Sequence, residues 1–448
     1  MTTETAARPP QTEAGFKRLL GTPSLLMFGI AYMVPLAAFT TYGIVVQLTE
    51  GKLPLAYLIT LVAILVTASS YGKMVRIYPN AGSSYAYATR SFGAKFGFVA
   101  GWSTLIDYLL LPMVCYLLIG IYMGAAFPAI PVWIWIVISL VATTAMNIIG
   151  IKVVNGANFA LLAVQFVFIA IFLVLALTRT EGLAPDAFIE PFTLEGSSIG
   201  QVVGGAAILC FSFLGFDAIS TLAEDAKNPK VTVPRAIILA PLIAGTVFIA
   251  VSYAGHLVFP EWQNFTDVDA AALDVIGAAG GKAMTAFFTA AYVAGCFAAA
   301  LISQASVARI LFSMGRDRML PQKVFGRLSA RFGSPVWSLL IVGAVSLLAI
   351  VLSLDFVSSV ISFGALVAFT IVNIAVIKTY AIDRKGGAVK VVSHIVVPLL
   401  GGALTLWLWT SLSGLAFVTG LIWMGIGFLW IAWNTRMFTR PVPELRDV

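Results

Sequence analysis

Two carboxylates give the first chemical signal in this chain. Of 20 acidic residues, Asp107 and Asp217 are the two that fall inside apolar stretches, and an acid at the centre of a membrane helix costs on the order of 3 kcal/mol to insert. Two such costs are a sizeable share of a protein's net stability, so something must offset them. Asp217 sits just past the interruption Ser212-Phe213-Leu214-Gly215. There it can meet a substrate, or it can N-cap the half-helix that follows. Asp107 lies in Trp102-Ser103-Thr104-Leu105-Ile106-Asp107-Tyr108, about 15 residues and so roughly 22 Å into a long helix. No break stands beside it to be capped, which leaves a functional role or a Tyr or Ser partner on a neighbouring helix.

The other reactive residue types form no catalytic set. His256 and His394 are the only histidines, both near span ends, and no cluster of His, Cys and acid offers metal ligation or an activated nucleophile. No enzyme activity, cofactor or metal is expected. Cys115, Cys210 and Cys296 all fall within apolar spans and read as small packing residues rather than a disulfide framework.

What must position the two acids is a membrane scaffold. The 448 residues are 60% hydrophobic and 10% charged, against about a quarter charged in an ordinary soluble domain. The apolar runs are roughly 20 residues long, enough to cross a bilayer as helices. The expected fold is an all-α polytopic membrane protein of twelve transmembrane helices, near 24–46, 53–74, 92–126, 131–150, 153–177, 199–223, 233–258, 281–314, 335–353, 356–379, 395–414 and 416–435. With both termini cytoplasmic, about 24 of the 27 Lys and Arg lie on inner segments and only Lys52, Arg179 and Lys282 lie outside, as the positive-inside rule requires. The net charge of +7 is therefore a topology and lipid-headgroup signal, with no nucleic-acid role. Residues 1–23 lack the positive start and apolar run of a secretory signal and read as a short disordered tail.

Span one, like span six, carries a fault. Gly29, Pro35 and Gly43 interrupt it, which places a break near Tyr32-Met33-Val34 or, on the simpler reading, a proline kink. Two sets of five spans, each opening with an interrupted helix, point to an inverted repeat with its site between the two breaks. The expected organisation is an N-terminal tail (1–23), a first repeat (24–177), an outer loop (178–198), a second repeat (199–380), spans eleven and twelve (381–436) and a C-terminal tail (437–448). The half-helices ending at the breaks present carbonyls that attract ammonium groups, and the continuing halves present amides that would suit a carboxylate.

Other segments read less sharply. Tyr85 and Tyr87, after Tyr78-Pro79, suit an interfacial segment that either anchors at headgroup level or gates. Ser358, Ser359 and Ser362 in span ten suit close packing or a cavity wall. Outer loops hold Glu181, Asp186, Glu190, Glu195, Glu261, Asp267, Asp269 and Asp274, either an acidic vestibule that concentrates cations or plain polar loops. Spans eleven and twelve, with no buried charge, read as scaffold or homodimer contact.

The stretches FSFLGFDAISTLAEDAKNP (211–229), YPNAGSSYAYATRSFG (78–93) and ASVARILFSMGRDRMLPQKVFGRLSARFGSP (305–335) resemble signature regions of the amino acid–polyamine–organocation superfamily. GIAYMVP, SYGKMVR, GWSTLIDYLLLPM, CFSFLGFDA and ISFGALVAFTIVN are similar to its bacterial putrescine importer branch. The resemblance spans essentially the whole chain. It implies an inner-membrane carrier working by alternating access, commonly with proton symport or exchange. By motif it places Phe211, Leu214 and Asp217 at substrate and gating positions, and Asp107 and Tyr108 in the pocket. The first helix departs from the amino-acid permease pattern, since Tyr32, Met33, Val34 and Pro35 replace the glycines that cradle a substrate carboxylate. The fifth span also lacks the lysine that some proton-coupled relatives carry.

Taken together, these residues describe an importer of a small organic cation such as putrescine, with an amino-acid permease of the same fold as the alternative. The expected substrate site comprises Asp107, Tyr108, Tyr32, Met33, Val34, Phe211, Ser212, Phe213, Leu214, Gly215, Asp217 and Ser362. In it each carboxylate takes one ammonium, and Tyr32, Tyr108, Phe211 and Phe213 form aromatic walls. The helix breaks are assigned to Gly29, Pro35 and Gly215. Either buried acid is a candidate proton carrier.

Overall fold

The computed structural model describes residues 20–79, 84–149, 154–179, 184–223, 225–316, 319–329, 331–437 and 439. Residues before 20, those from 440, residues 80–83, Lys152, Glu181 and the Asp317-Arg318 pair lie outside the described residues. Among those described, eleven helices are long and apolar enough to cross a membrane, and the shorter apolar Val336–Ile350 supplies a twelfth. They are Thr22–Phe39 (span one), Leu53–Ile77 (two), Ala94–Ala126 (three), Val132–Ile149 (four), Ala160–Leu177 (five), Ile199–Leu222 (six), Pro229–Val258 (seven), Leu354–Ile382 (ten), Val392–Thr410 (eleven) and Gly414–Asn434 (twelve). Span eight lies within Ala272–Arg316, which turns at Gly281 (φ 66°), so a short helix precedes the span itself. In span nine, Val336–Ile350, 11 α-helical residues and 4 in a tighter 3-10 turn together reach roughly 25 Å.

Alternating spans define two faces. The start of span one and the helix Ser84–Phe92 share what is called here the N-terminal face; the loop leading into span six lies on the opposite face.

Span one stops being helical after Met33 because Val34 precedes a proline. The residue before proline is pushed out of helical space, and Pro35 brings no N–H to continue the ladder. Val34 takes φ 50° and ψ 100°, a region that β-branched residues enter only under constraint. The chain resumes as a 3-10 turn, Pro35–Phe39, and a helix, Tyr42–Leu48. Gly29 and Gly43, expected to interrupt the span, each lie inside a helix instead. Both are close-packing points: a Cβ would come 2.4 Å from Ile219 Cδ1 at Gly29 and 2.2 Å from the Val268 carbonyl oxygen at Gly43.

Span six begins with a capping box. The Ser198 hydroxyl accepts from the Gln201 N–H, and the Gln201 side chain accepts from the Ser198 N–H. Its α-helix ends at Leu209, tightens to the 3-10 turn Cys210–Phe213, opens at extended Leu214 and at Gly215 (φ 120°), and resumes as Ala218–Leu222.

The heaviest packing between spans joins two with seven and three with eight, while three also lies along ten and eight along five. Each pair maps onto itself or onto the other when span one is exchanged for six, two for seven and so on. That is the reciprocity a two-fold axis in the membrane plane imposes. Span twelve is scaffold for span three: the Trp102 and Trp423 rings stack at 5.0 Å, and each indole N–H donates to the other residue's carbonyl, at 2.9 and 2.8 Å.

The opposite face is clamped by a buried cation. Lys52, at the start of span two and 1% exposed, meets the Glu190 carboxylate and donates to the Glu190 carbonyl at 3.1 Å. His256, at the end of span seven, lies 2.9 Å from the other carboxylate oxygen. Removing one partner of a buried pair strands the other charge. Glu190 is 40% exposed, so water recovers part of the loss; Glu190→Gln is expected to cost about 2 kcal/mol, seen as a lower midpoint of thermal unfolding in detergent. An unchanged midpoint would show that the clamp holds nothing.

Candidate functional site

Spans one and six meet at their faults. Gly215 carries no side chain where the Tyr32 ring lies: a Cβ there would sit 2.4 Å from Tyr32 Cδ1 and 2.9 Å from Tyr32 Cβ. Where each helix stops, its last carbonyls lack partners within the helix and carry partial negative charge.

Two hollows flank this contact. On the side of the N-terminal face is a cavity of about 310 Å³ lined by Asp217, Tyr108, Thr104, Trp102, Thr221 and Tyr85 among others. Thr221 in its wall is exposed, so the cavity reaches solvent. On the other side lies a smaller compartment of about 110 Å³, lined by Tyr32, Met33, Val34, Phe211 and Leu214 with Cys115, Tyr292 and Cys296. One turn of span three, from Tyr108 in the first to Leu111 in the second, divides them.

Beyond the small compartment, toward the opposite face, an aromatic plug closes the path. Phe39, Tyr122, Phe168, Phe172, Phe288 and Tyr292 are all buried. Phe39 meets Phe288 at 5.2 Å and Tyr122 meets Tyr292 at 4.9 Å, edge to face in both cases; such pairs each add about 1 kcal/mol beyond area burial. The Thr40 and Tyr292 hydroxyls bond to each other, and the Tyr122 hydroxyl donates to the Phe39 carbonyl at 3.3 Å. Beyond the plug some of the loop acids gather: burial first, then the charges of Asp267 and Asp355, hold the Asp269 carboxyl above the usual carboxylate range. Glu190 is spent on Lys52, and Asp274 accepts from the Thr266 N–H and hydroxyl.

The carboxylates divide. Asp217 occupies the N-cap position of the second half of span six without capping it. Its Oδ1 accepts from the Gly215 N–H at 3.3 Å, which braces the break and leaves lone pairs for the cavity. Asp107 lies within electrostatic reach of Asp217 but lines neither hollow. Its Oδ1 is buried without a hydrogen-bond partner against Gly364 of span ten, where a Cβ would stand 2.7 Å away. The two acids therefore do not face one another across a shared hollow.

Tyr32, Met33, Val34, Phe211, Leu214, Gly215, Tyr108 and Asp217 are gathered around the paired breaks. Phe213 is not among them: fully buried, it packs edge to face on Phe248 at 5.3 Å, toward spans two and seven. Ser212 is buried and lines neither hollow. Ser362 donates to the Ile208 carbonyl at 3.1 Å, tying span ten to span six above the break. The helix Ser84–Phe92 brings Ser84 and Tyr85 to the cavity wall while Tyr87 is buried against Tyr71, ring centroids 6.0 Å apart. Sequence reasoning missed the span-eight wall. Tyr292, Cys296, Ala299 and Ser303 recur at helical spacing, a run of small and polar residues that would have marked one face.

A larger hollow of about 1080 Å³ lies between spans three, four, five and eight, with Lys282 its one charged lining group. It holds no carboxylate, and an ammonium gains nothing from it.

The amino acid permease family model matches residues 24–434. The low-affinity putrescine importer PlaP of Escherichia coli (strain K12) is 38% identical over 445 residues, covering 98% of both chains. The branched-chain amino acid permease BcaP of Bacillus subtilis is 25% identical over 442 residues and 93% of each chain. The methylthioribose transporter of the same organism is 26% identical over 446 residues and 92% of each.

Proposed function

The chain belongs to the amino acid permease family, and from that premise we propose that it imports a small organic cation, putrescine or a related diamine, as a secondary transporter working by alternating access. The observation that carries this reading is Asp217: a carboxylate at the break of span six, braced by the Gly215 amide, opening onto an aromatic-walled cavity. An ammonium there exchanges water for a carboxylate, nearby carbonyl helix ends and the Tyr108 ring. The 38% identity to a putrescine importer along the full chain supports the same class of cargo.

The N-terminal face is the cytoplasmic one in this reading, on the distribution of Lys and Arg, so the cavity opens inward and the aromatic plug is the closed outer gate. Tyr32, Val34 and Pro35 at the first break leave no glycine cradle for an α-carboxylate, which favours an amine over an amino acid. Uptake of labelled putrescine into proteoliposomes tests this. Diamines should compete and neutral or branched-chain amino acids should not. Competition by amino acids alone would make the chain an amino-acid permease. Since a single carboxylate lines the cavity, a monoamine of equal length should compete within about tenfold of the diamine.

A further inference from the structure

Asp107 has no place among the cavity walls, yet a half-buried acid at this depth in a membrane span is too costly to be idle. Among the described residues, the groups within electrostatic reach of it are acids and phenols: Asp217 on span six, Tyr32 on span one, Tyr71 on span two and Tyr108 on its own span. No ion pair or hydrogen bond reaches its Oδ1. Span ten fits against this turn only because residue 364 is glycine. A Cβ there would stand 2.5 Å from the Ser103 carbonyl oxygen, 2.6 Å from Ile106 Cγ2 and 2.7 Å from Asp107 Oδ1.

We propose that Asp107 is the proton carrier of the transport cycle, and that the contact between span three and Gly364 of span ten is the element its protonation controls. In the charged form Oδ1, sealed on a glycine backbone, has lost water and gained no donor. The neutral acid fits the same space without stranding a charge. The packed arrangement thus belongs to the protonated form, and withdrawal of span ten readmits water to Oδ1 and lets the O–H bond break, the proton passing to that water. A ligand bound differently by two arrangements shifts their populations, and here the ligand is the proton. Asp217 keeps the amine, so cargo and proton occupy separate carboxyls that still sense each other's charge.

This inference rests on the amine-importer reading for its transport assay but not for its spectroscopic one. In wild-type protein the infrared C=O stretch of a protonated carboxylic acid should be present and should vanish in Asp107→Asn; no such band, or one that survives in the variant, overturns the proposal. In proteoliposomes under an imposed pH gradient, Asp107→Asn should bind putrescine within about threefold of wild type yet lose about tenfold or more of gradient-driven accumulation. Asp107→Glu should keep coupling with a displaced pH profile. Binding lost as severely as in Asp217→Asn would make Asp107 a cargo ligand, and accumulation retained in Asp107→Asn would place the proton elsewhere; either result overturns the proposal. Wild-type protein that ignores amines but shows the band, lost in Asp107→Asn, would sink the choice of cargo and leave the carrier standing. A wild type that accumulates putrescine without moving protons would do the reverse.

Discussion

Asp217→Asn is expected to lower putrescine uptake about a hundredfold while leaving the fold intact. Asparagine is the same size and keeps an oxygen that can accept from the Gly215 N–H, now at 3.3 Å from Oδ1, so the break in span six keeps its brace. What disappears is the single acid among the residues lining the cavity on the side of the N-terminal face. A hydrogen bond to a charged partner is worth about 1.5–3 kcal/mol net, and a stranded buried charge costs more; a loss near 2.7 kcal/mol is about a hundredfold in affinity. Uptake kinetics at saturating and limiting putrescine, with thermal unfolding as the control, separate lost binding from lost protein. Uptake within about tenfold of wild type at limiting substrate, with an unchanged midpoint, would remove Asp217 from the binding site.

The membrane class and the two faulted spans were legible because their causes are local. A long apolar run has one inexpensive fate in a bilayer, and a Val-Pro step disfavours helix whatever surrounds it. The break after Met33 needs nothing distant to explain it. Gly29 and Gly43 were misread for the opposite reason. Both are helical, and what makes them glycine is Ile219 against one and the Val268 carbonyl against the other, neighbours that adjacent sequence does not name.

Helical phase accounts for most of what the sequence withheld at the site. On a helical turn residues three apart share a side and residues two apart do not. Phe211 and Leu214 therefore share a face and line the small compartment, while Phe213 turns toward Phe248. Grouping Phe211 and Phe213 by aromatic type puts both near the substrate, although residues two apart on a helical turn point to opposite sides. Asp107 shows the same limit at larger scale: composition reveals that an acid is buried, whereas its direction depends on Gly364, which only the packed span ten supplies. Pairing both acids with one diamine was a fair reading of their depth and a poor guide to their orientation.

Gly215→Ala is expected to abolish transport and to destabilise the protein, because two independent constraints act on one position. At φ 120° an L-residue is strained, at a cost of order 1–3 kcal/mol. The added methyl would also sit 2.4 Å from Tyr32 Cδ1 and 2.9 Å from Tyr32 Cβ, well inside van der Waals contact. Relief requires the two broken spans to part, and that contact lies between the Asp217 cavity and the small compartment. The steric share can be isolated with Tyr32→Ala, which removes the ring but not Cβ. If the clash dominates, the double variant should recover part of the stability lost in Gly215→Ala, a coupling of about 1–2 kcal/mol in a double-mutant cycle read by thermal unfolding. Transport should stay low in the double variant, since the backbone strain persists and the Tyr32 ring is gone from the wall. Full additivity would assign the loss to backbone strain alone. Wild-type uptake in Gly215→Ala would mean that the close approach of spans one and six is incidental to the transport cycle.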